Sequence, residues 1–287
     1  MLICLPFSVY AFEDIRPSYS GDVSFGFDSN LSKAEEAQNI ISDRFIKAEA
    51  HAVVKTEITF NKAIILDAGL AYKAFEFTPS LNQMELTINA IYRWQNEFKY
   101  RSPWFQVMLS NQVLELDANQ RDSNVYTVQA MSSARLTTQI TWLLGIEHKQ
   151  RNSNGRVFDT QKNRIFGNLD YKLKGKGTVY GGMSYIDGDI ISSAQNQYCN
   201  GLVATSVYGL IVVSDEIEAD SAFNNDYCGN WISYRLPAKT VTLTSGLNYP
   251  INHRSAADIS WLYANITAEG NNRYERHIVQ ANYLVMF

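Results

Sequence analysis

From Ile46 to Phe60 the chain alternates without interruption. Ile46, Ala48, Ala50, Ala52, Val54, Ile58 and Phe60 fall on one side, and Lys47, Glu49, His51, Lys55 and Glu57 on the other. A two-residue period places successive side chains on opposite faces of an extended strand. One such strand fits any antiparallel sheet with a solvated face. The repetition is more restrictive. Leu66, Ala68, Leu70 and Tyr72 oppose Asp67 and Lys73; Met84, Leu86, Ile88 and Tyr92 oppose Glu85 and Arg93; Tyr126 and Val128 oppose Arg135; Ile140, Trp142, Leu144 and Ile146 oppose Glu147 and Lys149; Ile165, Leu169 and Tyr171 oppose Arg164, Asp170 and Lys172.

No long segment between these strands has a helical period, so no helix is on hand to cover their apolar faces. A closed antiparallel β-barrel set in lipid covers them all, since each strand then shows lipid only every second side chain. The pattern predicts an all-β barrel of about twelve strands near 20–28, 45–60, 64–77, 83–94, 103–115, 125–136, 138–150, 161–173, 178–188, 239–250, 257–267 and 276–287. Tight links at 61–63, near Thr137 and at 174–177 alternate with longer polar links at 28–44, 116–124 and 150–159.

The last strand carries a more specific signal. His277, Val279, Ala281, Tyr283, Val285 and Phe287 share one face, and the chain stops on an aromatic residue. This ending resembles the assembly signal of bacterial outer-membrane β-barrel proteins, porins among them: a polar residue at Gln280, apolar or aromatic residues at Tyr283 and Val285, and a terminal aromatic at Phe287. Asn282 stands where that signal usually has glycine. The resemblance implies an integral outer-membrane protein that meets membrane lipid and the barrel-assembly machinery. Barrels of this kind have short periplasmic turns and long extracellular loops, so both termini are expected in the periplasm. Composition agrees. There are 17 Tyr, 14 Phe and 5 Trp, yet no run of about 20 apolar residues such as a membrane helix needs. A net charge of −4 argues against a nucleic-acid partner.

Residues 1–11 read as the remains of a secretory signal peptide, with Val9-Tyr10-Ala11 as the cleavage site and the barrel occupying 12–287. Cys4 leaves with that segment. Cys199 and Cys228 then remain in an oxidising compartment, with no CxxC pattern or neighbouring His to suggest a metal, and a disulfide is the simplest expectation. Closing that loop stabilises by about 3 kcal/mol in the chain-entropy picture. Both cysteines fall in the stretch 189–238, which the strand pattern assigns to one long extracellular loop. Reading Trp231–Leu236 as a further strand gives an odd count. Within the loop, the apolar stretch 202–213 needs cover at the barrel rim or in the lumen, and the acids Asp215, Glu216, Glu218 and Asp220 form a cation-attracting cluster. In the first loop, Ser32-Lys33-Ala34-Glu35 has the form of a capping box before a short helix.

The polar faces converge on the lumen. Its expected lining is Lys47, Glu49, His51, Lys55, Glu57, Asp67, Lys73, Glu85, Arg93, Arg135, Glu147, Lys149, Arg164, Asp170 and Lys172, densely charged and nearly balanced. Rings of charge of this kind tune passage of small polar solutes through a channel. The same charges could instead fill the lumen with cross-barrel ion pairs. That alternative yields a non-conducting scaffold or a partner in surface assembly or polysaccharide export. A third possibility is lipolysis, because His253-Arg254-Ser255 followed by Asn265 is similar to the His-x-Ser and Asn pattern of outer-membrane phospholipases. His253 and Ser255 fall in a turn on the wrong side of the membrane for that chemistry. No cofactor or metal motif is present, and no catalytic residues are assigned.

Overall fold

In the computed structural model, which describes residues 17–287, the chain closes into a barrel of twelve antiparallel strands. Chain order gives β1 (Ser18–Asp28), β2 (Asp43–Thr59), β3 (Lys62–Phe75), β4 (Gln83–Gln95), β5 (Trp104–Leu116), β6 (Ser123–Arg135), β7 (Ile140–Ser153), β8 (Thr160–Lys172) and β9 (Thr178–Gln197). These are followed by α1 (Val207–Val213), β10 (Glu216–Ala219), α2 (Ser221–Asp226), β11 (Asn230–Pro250), β12 (Ser255–Ala268) and β13 (Arg273–Met286). Each strand pairs with its neighbours in sequence, except that β9 pairs β11. The ring closes where β1 meets β13, from Ser20 opposite Met286 to Asp28 opposite Ile278. At the top of that seam the Arg276 guanidinium donates to both oxygens of the buried Asp28 carboxylate.

The two-residue period sets which face meets lipid. Phe25, Ile46, Leu66, Ile88, Leu109, Leu144, Ile165, Met183 and Ile259 are all exposed and outward, as the alternation requires once the sheet has no edge left to hide them. Inward-pointing rings fold over glycines on neighbouring strands. Phe45 lies on Gly26 and Phe166 on Gly145, where a Cβ would come within 2.2 and 2.4 Å of the ring. The termini share one end of the barrel with the connections 60–61, 96–103, 136–139, 173–177 and 251–254. The other end carries 29–42, 76–82, 117–122, 154–159, 198–229 and 269–272.

The loop-end connections repeat one device. After a single 3-10 turn, the side chain of Asn82, Asp122 or Asp159 accepts the backbone N–H of Phe75, Leu116 or Ser153 at the end of the preceding strand, at 2.6–2.8 Å. The first loop is closed differently. Its expected capping-box helix does not form, because the Ser32 hydroxyl is engaged with the Asn39 carbonyl and the Ile41 N–H instead. Only a 3-10 turn remains at Ala37–Asn39.

The stretch 189–238 differs from one long loop. β9 runs on to Gln197 and β11 begins at Asn230, so Trp231–Leu236 is strand after all. It adds no strand to the ring, since it continues into 239–250 as a single strand. The connection itself is 198–229, and the one strand beyond the twelve of the ring, β10, lies outside it and pairs only with β11.

Candidate functional site: the lumen and its lid

β8 stops beside β9 at Lys162 opposite Gly188, and β12 stops beside β11 at Ala238 opposite Ala268. Above that level β9 and β11 run on as a ribbon, flanked only by the short β10 beside Ile232–Arg235, and so narrow a sheet twists more than a wide one. The chain marks the spot. Gly188 has φ +151, with a would-be Cβ 2.1 Å from the Gln161 carbonyl oxygen, and Pro237, one residue from its partner Ala238, has no N–H to give.

Both faces of the ribbon are covered. Ile190, Ala194, Ile232, Tyr234 and Leu236 pack with the loop-end residues Ala264, Ile266, Ala268 and Tyr274, and with Val207 of α1. The apolar stretch 202–213 is thus only partly covered: Val207 is buried and Leu210, Ile211 and Val213 pack on this cluster, while Leu202, Val203, Tyr208 and Val212 remain exposed. On the other face Trp231 is buried with Phe223 and Ala222 of α2 against Leu81 and Ala118 of two neighbouring loops.

Residues 198–229 therefore form a lid, fastened to the other five loops. Ser206 donates to Glu36 of the first. Asp226 accepts from the N–H and hydroxyl of Ser80, and the Tyr227 and Thr78 hydroxyls bond at 2.9 Å; burial pushes the Tyr227 phenol up. Arg121 reaches Asp220, the N–H of Arg156 donates to Glu218, and Val213 packs over Gly270. Asp220, fully buried, is the centre. One oxygen accepts from Arg121 at 2.7 Å and from the Ser193 and Ser233 hydroxyls at 2.6 Å; the other caps α2 through the N–H groups of Ala222 and Phe223. The acidic run is thus partly spent in structure, and no open cluster of four acids faces solvent. Cys199 and Cys228 are bonded, with Cα atoms 5.3 Å apart, and join the two ends of the lid just beyond the last ribbon pair, Gln197 with Asn230. Gly229, beside Cys228, has φ +89 and leaves no room for a Cβ, which would meet the Gln197 carbonyl at 2.7 Å.

Of the residues expected to line the lumen, one group is brought together on the inner face of β2–β4. His51 lies between Glu49 (2.7 Å) and Asp67 (2.9 Å), Lys47 donates to Glu49, and Asn89 donates to Asp67 at 2.9 Å. Gly69 makes this possible, since a Cβ there would meet the His51 ring at 2.8 Å. Glu147 pairs with Arg164 at 3.8 Å and accepts from Gln129. Arg93 donates twice to Gln106 and stacks over Trp104, Lys73 sits 3.8 Å from the centre of the Phe45 ring, and Glu85 accepts from Thr87. Lys55, Glu57, Arg135, Asp170 and Lys172 are exposed at the terminal end, where the strands outrun the barrel interior. Lys149 has no side-chain partner among the described residues. The expected lining omits Lys162, Arg151 and Arg276, which share the inward parity and were legible by it, and also Lys33, Arg121 and Asp220, which only loop packing brings to the lumen end.

Among the described residues, every ion pair of the barrel wall joins side chains of one strand or of adjacent strands. None crosses the lumen. Of the terminal signal, Tyr283 and Phe287 face outward and exposed, Val285 is half-buried beside them, and Gln280 faces in; the Phe287 N–H donates to the Tyr19 carbonyl, so the last residue is stitched to the first strand. The phospholipase-like residues are not assembled. Ser255 opens β12 at the terminal end while Asn265 lies near its far end and donates to the Tyr263 hydroxyl; ten residues of strand separate them by about 33 Å. Residues 1–11, expected to be a signal-peptide remnant, lie outside the described residues.

A twelve-stranded closed barrel with an apolar outer belt and a charged lumen is the fold of an integral outer-membrane β-barrel. Among solved structures, the chain is similar to the COG4313 outer membrane channel from Pseudomonas putida F1, at 10% identity over 99% of this chain and 100% of that one, with a TM-score of 0.57. It is also similar to the NanC porin (10% identity, 93% and 99% covered, TM-score 0.47) and to the KdgM porin in complex with disordered oligogalacturonate (8%, 93% and 99%, 0.46). No protein-family profile matches the chain, and no curated protein sequence does. The likeness is one of fold.

Proposed function

We propose that this protein is an outer-membrane channel for small polar solutes, with both termini in the periplasm and its extracellular mouth covered by the lid 198–229. The observation that carries this reading is the direction of the lumen ion pairs. They run along the wall, so Glu49, His51 and Asp67 keep part of their surface accessible, and among the described residues no ion pair bridges the lumen. Charged groups set around an aqueous lumen bias which solutes enter. Tyr283, Val285 and Phe287 then serve as the lipid-facing assembly signal, with Gln280 as its polar position.

The lid makes passage conditional. The test is single-channel conductance in planar bilayers, comparing the oxidised protein with the protein after reduction of Cys199–Cys228. A channel gated by the lid conducts more once the bond is reduced. A second reading, a scaffold that docks a partner on its lid, is favoured by the anchoring of the lid to all the surrounding loops. It requires no conductance in either state, nor after deletion of 202–224.

A further inference from the structure

On the inner face of β7 and β8, near the loop end, three cross-strand pairs stack in sequence: Glu147 opposite Arg164, Lys149 opposite Lys162 and Arg151 opposite Thr160. The first is an ordinary ion pair. The second sets two ammonium groups directly against each other, an arrangement that destabilises a sheet unless something offsets it. Neither lysine has a carboxylate partner among the described residues. Arg151 donates to the Ser123 hydroxyl and the Arg121 carbonyl, both uncharged.

Further positive charge arrives from loops and seam. Lys162 lies level with Gly188, where the ribbon bends inward, so it stands immediately under the lid. The first loop delivers Lys33 there from a left-handed backbone (φ +56), a conformation that a residue with a side chain rarely adopts. Lys33 is half-buried, with Arg276, Lys162, Arg121 and Arg151 as its charged neighbours. That burial and those cations push it well below the usual lysine range. Of these neighbours, Arg276 is neutralised by Asp28 and Arg121 by Asp220. Lys33, Lys149, Arg151 and Lys162 are not. Glu147, Glu85, Asp159 and Asp189 are the acids in the vicinity, and Glu147 is engaged by Arg164 and Gln129. None makes an ion pair with these four, and the Asp159 and Asp189 carboxylates already accept the backbone N–H groups of Ser153 and Gln161.

We propose that the lumen beneath the lid is a binding site for a small polyvalent oxyanion, held by Lys33, Lys149 and Lys162 with Arg151 behind them. The assignment rests on the channel reading for its route, because the terminal end, which carries no lid, is the side from which a solute would reach it. Its chemistry is fixed only as far as charged oxygens in carboxylate or phosphate groups, to which an ammonium binds as a point charge.

The experiment is calorimetric titration of the folded, detergent-solubilised protein at low ionic strength with citrate, with pyrophosphate and with neutral sucrose, folding being checked for every sample by the difference in gel mobility before and after boiling. Wild-type protein should bind citrate, pyrophosphate or both and not sucrose, and the preferred anion separates the two chemistries. Affinity should fall as salt approaches physiological strength, where the Debye length is about 8 Å. Lys149→Gln combined with Lys162→Gln should weaken binding at least about tenfold, whereas Lys99→Gln, on an exposed connection at the terminal end, should not change it. Should the double variant fail to fold, Lys162→Gln alone is read by the same criterion. Absence of binding by folded wild type at low salt, or undiminished binding by the lysine variants, would overturn the proposal. Binding without conductance would remove the passage reading and leave the site; conductance without binding would do the reverse.

Discussion

Asp220→Ala is the sharpest perturbation of the lid. It removes five hydrogen bonds at once and leaves Arg121, whose side chain is only 15% exposed, without its counter-ion. Breaking a buried ion pair by deleting one partner costs about 3–5 kcal/mol, and loss of a helix cap adds about 1 kcal/mol. Arg121 keeps its stacking over Phe158, at 4.3 Å, and can swing toward the rim. The lower figure, about 3 kcal/mol, is therefore the better expectation. At about 1.4 kcal/mol per factor of ten, the opening equilibrium of the lid rises about a hundredfold. Amide hydrogen exchange reads this directly: the N–H groups of Ala222, Phe223 and Trp231 should exchange about a hundredfold faster, while those in the middle of β2–β7 are unchanged. Asp220→Asn, which keeps the cap and loses the charge, should fall between. Exchange of the lid amides within about threefold of wild type would refute the idea that Asp220 holds the lid, and would leave the contacts of Asp226, Glu218 and Ser206 with the neighbouring loops as its tethers.

Two further outcomes follow from other parts of the barrel. Deleting Phe287 removes an exposed lipid-side ring and the 2.9 Å bond to Tyr19 at the seam, so the chain should accumulate in the periplasm and be degraded; undiminished membrane insertion on fractionation would show that the ending is incidental. The depressed value of Lys33 means that, between it and the ordinary 10.5, the unfolded first loop holds more protons than the folded one. Anchoring of that loop should therefore strengthen as pH rises through this window. Resistance of the loop to limited proteolysis should track the rise, and Lys33→Met should flatten it; a wild-type profile that is flat or falls would contradict the burial argument.

Much of the architecture was legible along the chain because a strand repeats every two residues whatever it packs against. The alternation from Ile46 to Phe60 places the lipid face and the lumen face, and twelve such segments give an even, closable ring. The bond of Cys199 to Cys228 was likewise legible, from two cysteines in an oxidising compartment with no CxxC pattern or neighbouring His. The lid was not legible, because its strands carry no sign of where their neighbours stop. Only pairing shows that β8 leaves β9 at Lys162 and β12 leaves β11 at Ala268, and that the ribbon above Gly188 and Pro237 turns inward. The capping-box pattern at Ser32 failed for a similar reason, since tertiary contacts with Asn39 and Ile41 outweigh a local preference for one turn of helix. The opposition of Lys149 and Lys162 depends on the register between two strands joined by a loop, and a shift of one residue would have sent one of them into lipid. The sequence by itself determined which residues face inward; the tertiary structure decided which of them meet, because meeting depends on register and loop packing rather than on the local period.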